Sequence, residues 1–471
     1  IKTLQFLPSK LNSQLPPILL KSGLATFLIL WIFLFYQLLS NSLLEPANVN
    51  GQSVQLVGCG QVDDVWKGIN QACGVDGKIC EPFDDRTFLF KCPAGCAKGS
   101  WTYSAKPVGN FSSIYRPYVI GGDNKYRADS SICGAGVHQG VISNRKGGCA
   151  RIRFKGFNPA GFRGYKGKGG VESIGFDSFF SASFSFDSYL IREKEWVDGC
   201  SDLRFFIIGV NIVLSLVFGY FVVSPQFFFW TLTFMGFWMV VFVSDPPVNL
   251  EGSSPEIWSK MISLGFRRLL PTTITSYVIY HFCVSRTLEN LDASLSRSLL
   301  WVGGFWLGLL ENYTFESLPI DRLIISDINK QPGGWAAVIF LLILVIVASL
   351  NQAYTMWYSG KLKSYLILYG CLAGGVFILT LIPGQTLRVH HYVIALVLLP
   401  GTSFQTTPSL LYQGILVGLF IFGVARWDFD SILQTTDELR RGDSSLLSGI
   451  PSFISFNATS GAILWKALEN E

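Results

Sequence analysis

The chain has 471 residues, of which 49% are hydrophobic, 14% aromatic and only 15% charged. That balance is too apolar for a soluble protein of this length and points to a polytopic membrane protein with a soluble insert. A net charge of +5 spread along the chain argues against a nucleic-acid partner, so the local distribution of charge is the informative quantity.

Residues 1–22 carry Lys2, Lys10 and Lys21 ahead of the first apolar run, residues 23–44. Positive charge before a run of spanning length predicts a cytosolic segment over 1–22 and a transmembrane anchor over 23–44, which delivers residues 45–202 to the extracytoplasmic side. Cys59, Cys73, Cys80, Cys92, Cys96, Cys133, Cys149 and Cys200 all fall in this insert, while Cys283 and Cys371 lie in later apolar runs. An even set of eight predicts disulfides and an oxidising compartment. Cys92 and Cys96 have no second Cys or His pair nearby, so their spacing does not predict zinc. Residues 151–157, RIRFKGF, alternate with Ile152 and Phe154 on one face and Arg151, Arg153 and Lys155 on the other. Residues 179–186, FFSASFSF, alternate likewise, with Phe180, Ala182, Phe184 and Phe186 inward.

Eight more apolar runs follow, at 203–224, 226–244, 267–285, 298–315, 334–357, 363–382, 389–408 and 409–426. They predict a multi-span domain over residues 203–426 with about eight helices, and about nine spans in all. Alternation puts Lys361 and Lys363 in the cytosol and the N-x-S/T sites Asn110, Asn312 and Asn457, candidate glycosylation sites, outside. Arg267 and Arg268 fall on the side the positive-inside rule disfavours. Ionisable residues are scarce within the runs, which weakens an ion-transporter reading. Gly304-x-x-x-Gly308, Gly370-x-x-x-Gly374 and Gly414-x-x-x-Gly418 each predict a face for close helix packing. Residues 427–471 read as an extracytoplasmic tail whose PSFISFNATSGAILW alternates like the start of a further β domain.

Binding chemistry concentrates in the insert. No acidic residue occurs between Asp129 and Glu172, while Arg145, Lys146, Arg151, Arg153, Lys155, Arg163, Lys166 and Lys168 do, interleaved with Phe157 and Tyr165. Arg151, Arg153, Lys155, Arg163, Lys166, Lys168, Phe157 and Tyr165 are the candidate ligand-binding set, suited to an acidic lipid or polysaccharide. The competing reading is a solvated basic face near the bilayer. His390 and His391 are the metal alternative, although neighbours on a helix diverge by about 100° and need ligands from other helices. No HExxH or GxSxG pattern occurs.

CPAGC at 92–96, YRADSSICGAGVHQGVI at 126–142 and the Gly-Gly pair after it resemble the LCCL domain over roughly residues 72–188. RVHHYVIALVLLPGT at 388–402, PSLLYQG at 408–414 and ARWDFDSILQT at 425–435 extend the resemblance to a family of fungal LCCL-domain membrane proteins. The resemblance implies a disulfide-bonded α+β LCCL domain in which strands wrap a central SSIC helix and His138 hydrogen-bonds inside. Carried over by motif, Cys92 bonds Cys80 or Cys73, with Cys80 adopted, and Cys96 bonds Cys133. The remaining cysteines are assigned as Cys59 with Cys73 and Cys149 with Cys200, from roughly a hundred ways of pairing eight.

The expected protein is an α-helical polytopic membrane protein of the secretory pathway, in a plasma or vacuole-type membrane, without a cofactor. Its expected role is receptor-like binding of an anionic lipid headgroup or glycan by the lumenal or extracellular domain. The alternatives are a metal-dependent lipid-modifying or lipid-handling protein around His390 and His391, and a structural scaffold. Expected partners are membrane lipids, with a second copy or a partner membrane protein also compatible.

Overall fold

The computed structural model describes residues 5–44, 47–49, 51–59, 85–97, 101–108, 111–156, 160–180, 182–187, 197–244, 257–315, 318, 328, 333–387, 390–435, 452–457 and 462–466. Helix α1 (Pro17–Leu39) continues through one π turn to Leu44 and leads into the disulfide domain. There a six-stranded sheet comprises β1 (Gln55–Leu56), β2 (Arg86–Cys92), β3 (Gly121–Gly122), β4 (Lys125–Arg127), β5 (Gly148–Lys155) and β6 (Ser183–Phe186). Their spatial order is β1-β2-β5-β6-β4-β3. β5 is central and antiparallel to β2 from Arg86↔Phe154 to Cys92↔Gly148. Ile152 and Phe154 are buried while Arg153 and Lys155 are exposed, as their alternation predicts. The expected strand over 179–186 is split instead. Phe176–Phe180 pairs with Ala160–Phe162 in a separate hairpin, which leaves Phe180 half-buried, and only Ser183–Phe186 joins the main sheet.

Helix α2 (Ile132–Gln139) packs on the inner face of this sheet and is buried at every position except Gln139. Ser131 Oγ caps it by accepting from Gly134 N at 3.1 Å, and Gly140 ends it in the left-handed region at φ 86°. A side chain at Gly134 would collide with the Tyr118 ring, so glycine is what lets Tyr118 lie on the helix backbone.

Three disulfides join Cys59 to Cys96, Cys92 to Cys133 and Cys149 to Cys200. The last is the pair assigned from sequence. The expected bonds Cys80–Cys92, Cys96–Cys133 and Cys59–Cys73 are corrected, because Cys92, Cys96, Cys133 and Cys59 have other partners. The reason is geometric. Cys92 ends β2 directly beside the first turn of α2, while the turn at Gly95 (φ 82°) carries Cys96 back toward the end of β1. Tyr118 Oη donates to the carbonyls of both Cys59 and Cys96, locking that turn. Cys73 and Cys80 lie outside the described residues.

Beyond the domain come α3 (Arg204–Phe221), α4 (Pro225–Met239), α5 (Ile257–Ile279), α6 (Gly303–Leu309, after a π turn from Arg297), α7 (Gly334–Tyr358), α8 (Leu362–Thr380), α9 (His391–Leu398) and α10 (Thr407–Trp427). With α1 they follow the order of the nine apolar runs. Six helices among the described residues are long and apolar enough to cross a membrane: Pro17–Ser42, Arg204–Phe221, Pro225–Ser244, Gly334–Tyr358, Leu362–Thr380 and Thr407–Trp427. The runs at 298–315 and 389–408 differ from expectation. The first is broken near Leu310, and the second is helical only over His391–Thr402, about 18 Å of rise.

Close packing centres on α6 and α10. Side chains added at Gly304 or Gly308 would meet the backbone of Leu411 and Ile415, and at Gly414 or Gly418 that of Trp301 and Phe305. Two of the three glycine motifs therefore face each other, whereas Gly370 and Gly374 have nothing within 4 Å. A buried arginine caps one helix end. Arg268 Nη1 donates to the carbonyls of Ala425 (2.7 Å) and Arg426 (2.9 Å) at the end of α10, and Arg267 pairs with Asp428 at 2.9 Å. That accounts for two arginines the span count alone disfavours. Tyr313 Oη donates to Ser244 O at the end nearest the disulfide domain, and Gln5 Nε2 to Ser296 Oγ at the opposite end.

Candidate functional site

His138 sits in the last turn of α2 and is 5% exposed. Its Nε2 lies 3.1 Å from the Tyr165 carbonyl, which can only accept, so Nε2 carries the proton. In the neutral ring Nδ1 then accepts from Tyr126 Oη at 2.8 Å, and Gln139 Oε1 shares that hydroxyl at 2.9 Å. Both ring nitrogens are thus committed inside the domain. Burial, with Asp123 nearby, pushes the Tyr126 phenol well up from its usual range.

This buried pair fixes a surface loop. Gly167 lies against the His138 ring, where any side chain would overlap it. Tyr165 N donates to Ser173 Oγ at 2.9 Å, Ser173 N donates to Tyr165 O at 3.1 Å, and Val171 is fully buried beneath. Arg163, Tyr165, Lys166 and Lys168 are consequently exposed on one short segment, with Tyr165 45% accessible. Lys125 joins them from the start of β4. Its Nζ stands 6.0 Å from the Phe162 ring, and the Tyr165 ring lies against Gly122 of the same hairpin. Sequence reasoning missed Lys125 because it precedes the acid-free window. The signal was available in Gly121-Gly122-Asp123-Asn124, whose Asp123 and Asn124 adopt positive φ and fold the hairpin. Among the described residues Arg163, Lys166 and Lys168 have no ion-pair partner, although Glu172 stands opposite Lys166 in an antiparallel bridge.

The other basic candidates lie elsewhere. Arg151, Arg153 and Lys155 occupy the outer face of β5, with the sheet and α2 between them and the loop. Arg151 and Arg153 both pair with Asp187, at 3.4 and 2.8 Å, which offsets one of their two charges. Arg145 and Lys146 belong to a turn at the membrane junction, where Asp202 N donates to Lys146 O at 2.8 Å. The single basic run in sequence is therefore three separate surfaces, because alternate residues of a strand and a loop folded over a helix face different ways. Phe157 lies outside the described residues.

His390 Nε2 is 3.2 Å from Ser431 O and its ring lies over Tyr392, whereas His391 Nδ1 is 3.5 Å from Glu311 Oε2. The two rings serve different neighbours, and among the described residues no group of three His, Cys, Asp or Glu is arranged to hold a metal. Of the glycosylation candidates, Asn312 donates its amide to Ser244 O at 3.1 Å, Asn457 ends the strand Ser452–Asn457, and Asn110 lies outside the described residues.

The family model of the LCCL domain matches residues 69–186, close to the limits read from the cysteine and glycine motifs. Over 468 residues the chain is 35% identical to Uncharacterized protein YIL067C of Saccharomyces cerevisiae, covering 95% of this chain and 67% of that protein. A stretch of 100 residues, 21% of the chain, is 36% identical to vitrin of Homo sapiens and 35% identical to vitrin of Mus musculus, covering 11% of each. No solved structure matches the chain.

Proposed function

The chain belongs to the family of LCCL-domain membrane proteins that includes the uncharacterized Saccharomyces cerevisiae protein, and we propose that it is a membrane-held binding protein for an anionic glycan or lipid headgroup. The observation that carries this reading is the loop of Arg163, Tyr165, Lys166 and Lys168 beside Lys125, exposed cations around an accessible aromatic ring. Guanidinium and ammonium groups pair with carboxylate, sulfate or phosphate, and a tyrosine face suits a sugar ring. A loop held by buried hydrogen bonds loses little freedom when it binds. The disulfides support an extracytoplasmic domain in the secretory pathway, and the apolar helices support integral attachment.

Binding of dextran sulfate and of phosphatidylserine vesicles by the full chain in phosphatidylcholine nanodiscs tests the proposal. R163Q/K166Q/K168Q should lower affinity by about tenfold or more at low salt, with a shallower salt dependence. R151Q/R153Q should bind nearly like wild type, since both lie on the outer face of β5 away from the loop and share the Asp187 carboxylate. Equal binding by the loop variant and wild type would remove the loop from the ligand site.

A further inference from the structure

The turn over residues 143–147, between α2 and β5, lies on the side of the disulfide domain that meets the helices. Lys146 O accepts from Asp202 N at 2.8 Å, and α3 begins two residues later at Arg204. The Cys149–Cys200 disulfide ties the start of β5 to the same segment. The CPAGC turn is joined to it as well: Gly95 N donates to Asn144 O and Ala97 N to Asn144 Oδ1, each at 2.8 Å. A side chain started on Gly95 would stand 3.7 Å from the Phe205 ring, so this underside of the domain rests on the first turn of α3.

That first turn marks the edge of the bilayer. The span opens at Arg204, and Phe205 and Phe206 are 43% and 59% exposed at its start. Phe205 also meets Tyr313 edge-on at 5.6 Å. Tyrosine at the end of a span sits at headgroup level. Backbone hydrogen-bonded to the residues just before the span is held at that level too.

Arg145 and Lys146 form the tip of the turn. Both are exposed, and among the described residues neither has an ion-pair partner. The neighbouring acid, Asp202, is 2% exposed, and its carboxylate already accepts from Ala94 N and Arg204 N and pairs with the Arg204 guanidinium at 3.5 Å. The tip is also held rigidly. Ser143 N donates to Gly147 O at 3.2 Å, and Gly147, at φ 59°, lies so close to the Cys92 carbonyl that no side chain fits. Two adjacent cations fixed at this level, with aromatic side chains below them, follow the order of a lipid, charge outermost and hydrocarbon beneath.

We infer that Arg145 and Lys146 bind the headgroup of an anionic phospholipid in the leaflet that faces the disulfide domain. This contact is separate from the loop of Arg163, Lys166 and Lys168, and it holds the underside of the domain to the bilayer surface.

Photolabelling reads the contact. Phosphatidylserine with a diazirine on its headgroup, diluted into phosphatidylcholine nanodiscs holding the full chain, is irradiated and the adducts are mapped by mass spectrometry. In wild type they should fall on peptides holding residues 143–148 and 202–206, about tenfold more than with a phosphatidylcholine probe of the same design, as expected for two cations at a lipid surface. R145Q/K146Q should remove that excess, R145K/K146R should keep it, and R163Q/K166Q/K168Q should leave it unchanged. Equal labelling of wild type and R145Q/K146Q, equal labelling by the two probes, or loss of the excess in R145K/K146R would each overturn the inference. So would a fall in dextran sulfate affinity in R145Q/K146Q with the adducts retained, which would make the turn part of a glycan surface.

Discussion

Lys91 Nζ donates to the Ser42 carbonyl at 2.9 Å, joining the disulfide domain to the end of the membrane anchor in an interface where Lys91 is 5% exposed. Asp202, 2% exposed, completes the clamp: its Oδ2 accepts from Ala94 N and its Oδ1 from Arg204 N, each at 2.8 Å. Leu203 N donates to Ser42 Oγ at 2.8 Å. The domain is thus hydrogen-bonded to both α1 and α3, which fixes its orientation relative to those two helices.

The clamp has a pH dependence of known sign. Burial lowers the Lys91 pKa from its ordinary 10.5, against the pull of Asp202. Between the lowered value and 10.5 the unfolded chain binds more protons than the native one, so this contribution to stability rises with pH and is lost as pH falls through the native pKa. Thermal melting of the full chain should therefore show a component rising with pH below 10.5 that is missing in Lys91→Met. The Tyr126 phenol acts with opposite sign, and only above its unfolded value of 10.0. A wild-type component identical to that of Lys91→Met would exclude Lys91 as its source.

Disulfide connectivity is directly checkable. Peptide mapping without reduction should give Cys59 with Cys96, Cys92 with Cys133, and Cys149 with Cys200. Cys59→Ser and Cys96→Ser should be equivalent, each losing about 2–4 kcal/mol in the loop-restriction account. A Cys96–Cys133 peptide would reject this arrangement.

The glycine motifs separate what a sequence pattern reveals from what it leaves open. Gly308→Ala and Gly418→Ala each press a methyl onto the facing backbone, and each should lower bundle stability by about 1–3 kcal/mol. Gly374→Ala meets nothing within 4 Å and should be neutral or mildly stabilising in its helix. Melting in one detergent ranks all three, and equal losses would contradict the packing described.

The same limit runs through the rest of the molecule. Alternation in RIRFKGF identified the buried faces of Ile152 and Phe154, because local periodicity encodes which face turns inward, whereas the buried SSICGAGVHQ helix came from the resemblance to the LCCL domain. Periodicity does not encode which elements meet. Cys92 and Cys96 are four residues apart and both near α2, so exchanging their partners satisfies the motif equally well. Nor could it show that Lys125 joins Tyr165 while Arg151 turns to Asp187, since both depend on contacts between distant segments. Nothing in the sequence marked Asp202 as the junction's acceptor, because it accepts from Ala94 N, 108 residues earlier in the chain.

Arg297 tests the bundle interior. It is 2% exposed, and among the described residues it has no acidic partner. Its Nε and Nη2 donate to Gly219 O at 3.1 and 2.9 Å, Nη2 also donates to Val222 O, and the guanidinium stands 5.1 Å from the Phe228 ring. These carbonyls end α3, where the helix dipole is negative and intrahelical donors have run out. The cation is therefore compensated by backbone oxygens and an aromatic face. Arg297→Met removes the charge but strands two carbonyls in a dry interior, at about 1–3 kcal/mol each. Arg297→Lys keeps a cation but lacks the planar fork that reaches both carbonyls, so its loss should fall between methionine and wild type. Arg267→Gln, at a side chain 68% exposed, serves as the comparison and should melt close to wild type. If Arg297→Met melted with Arg267→Gln, the buried guanidinium would not be what closes the end of α3.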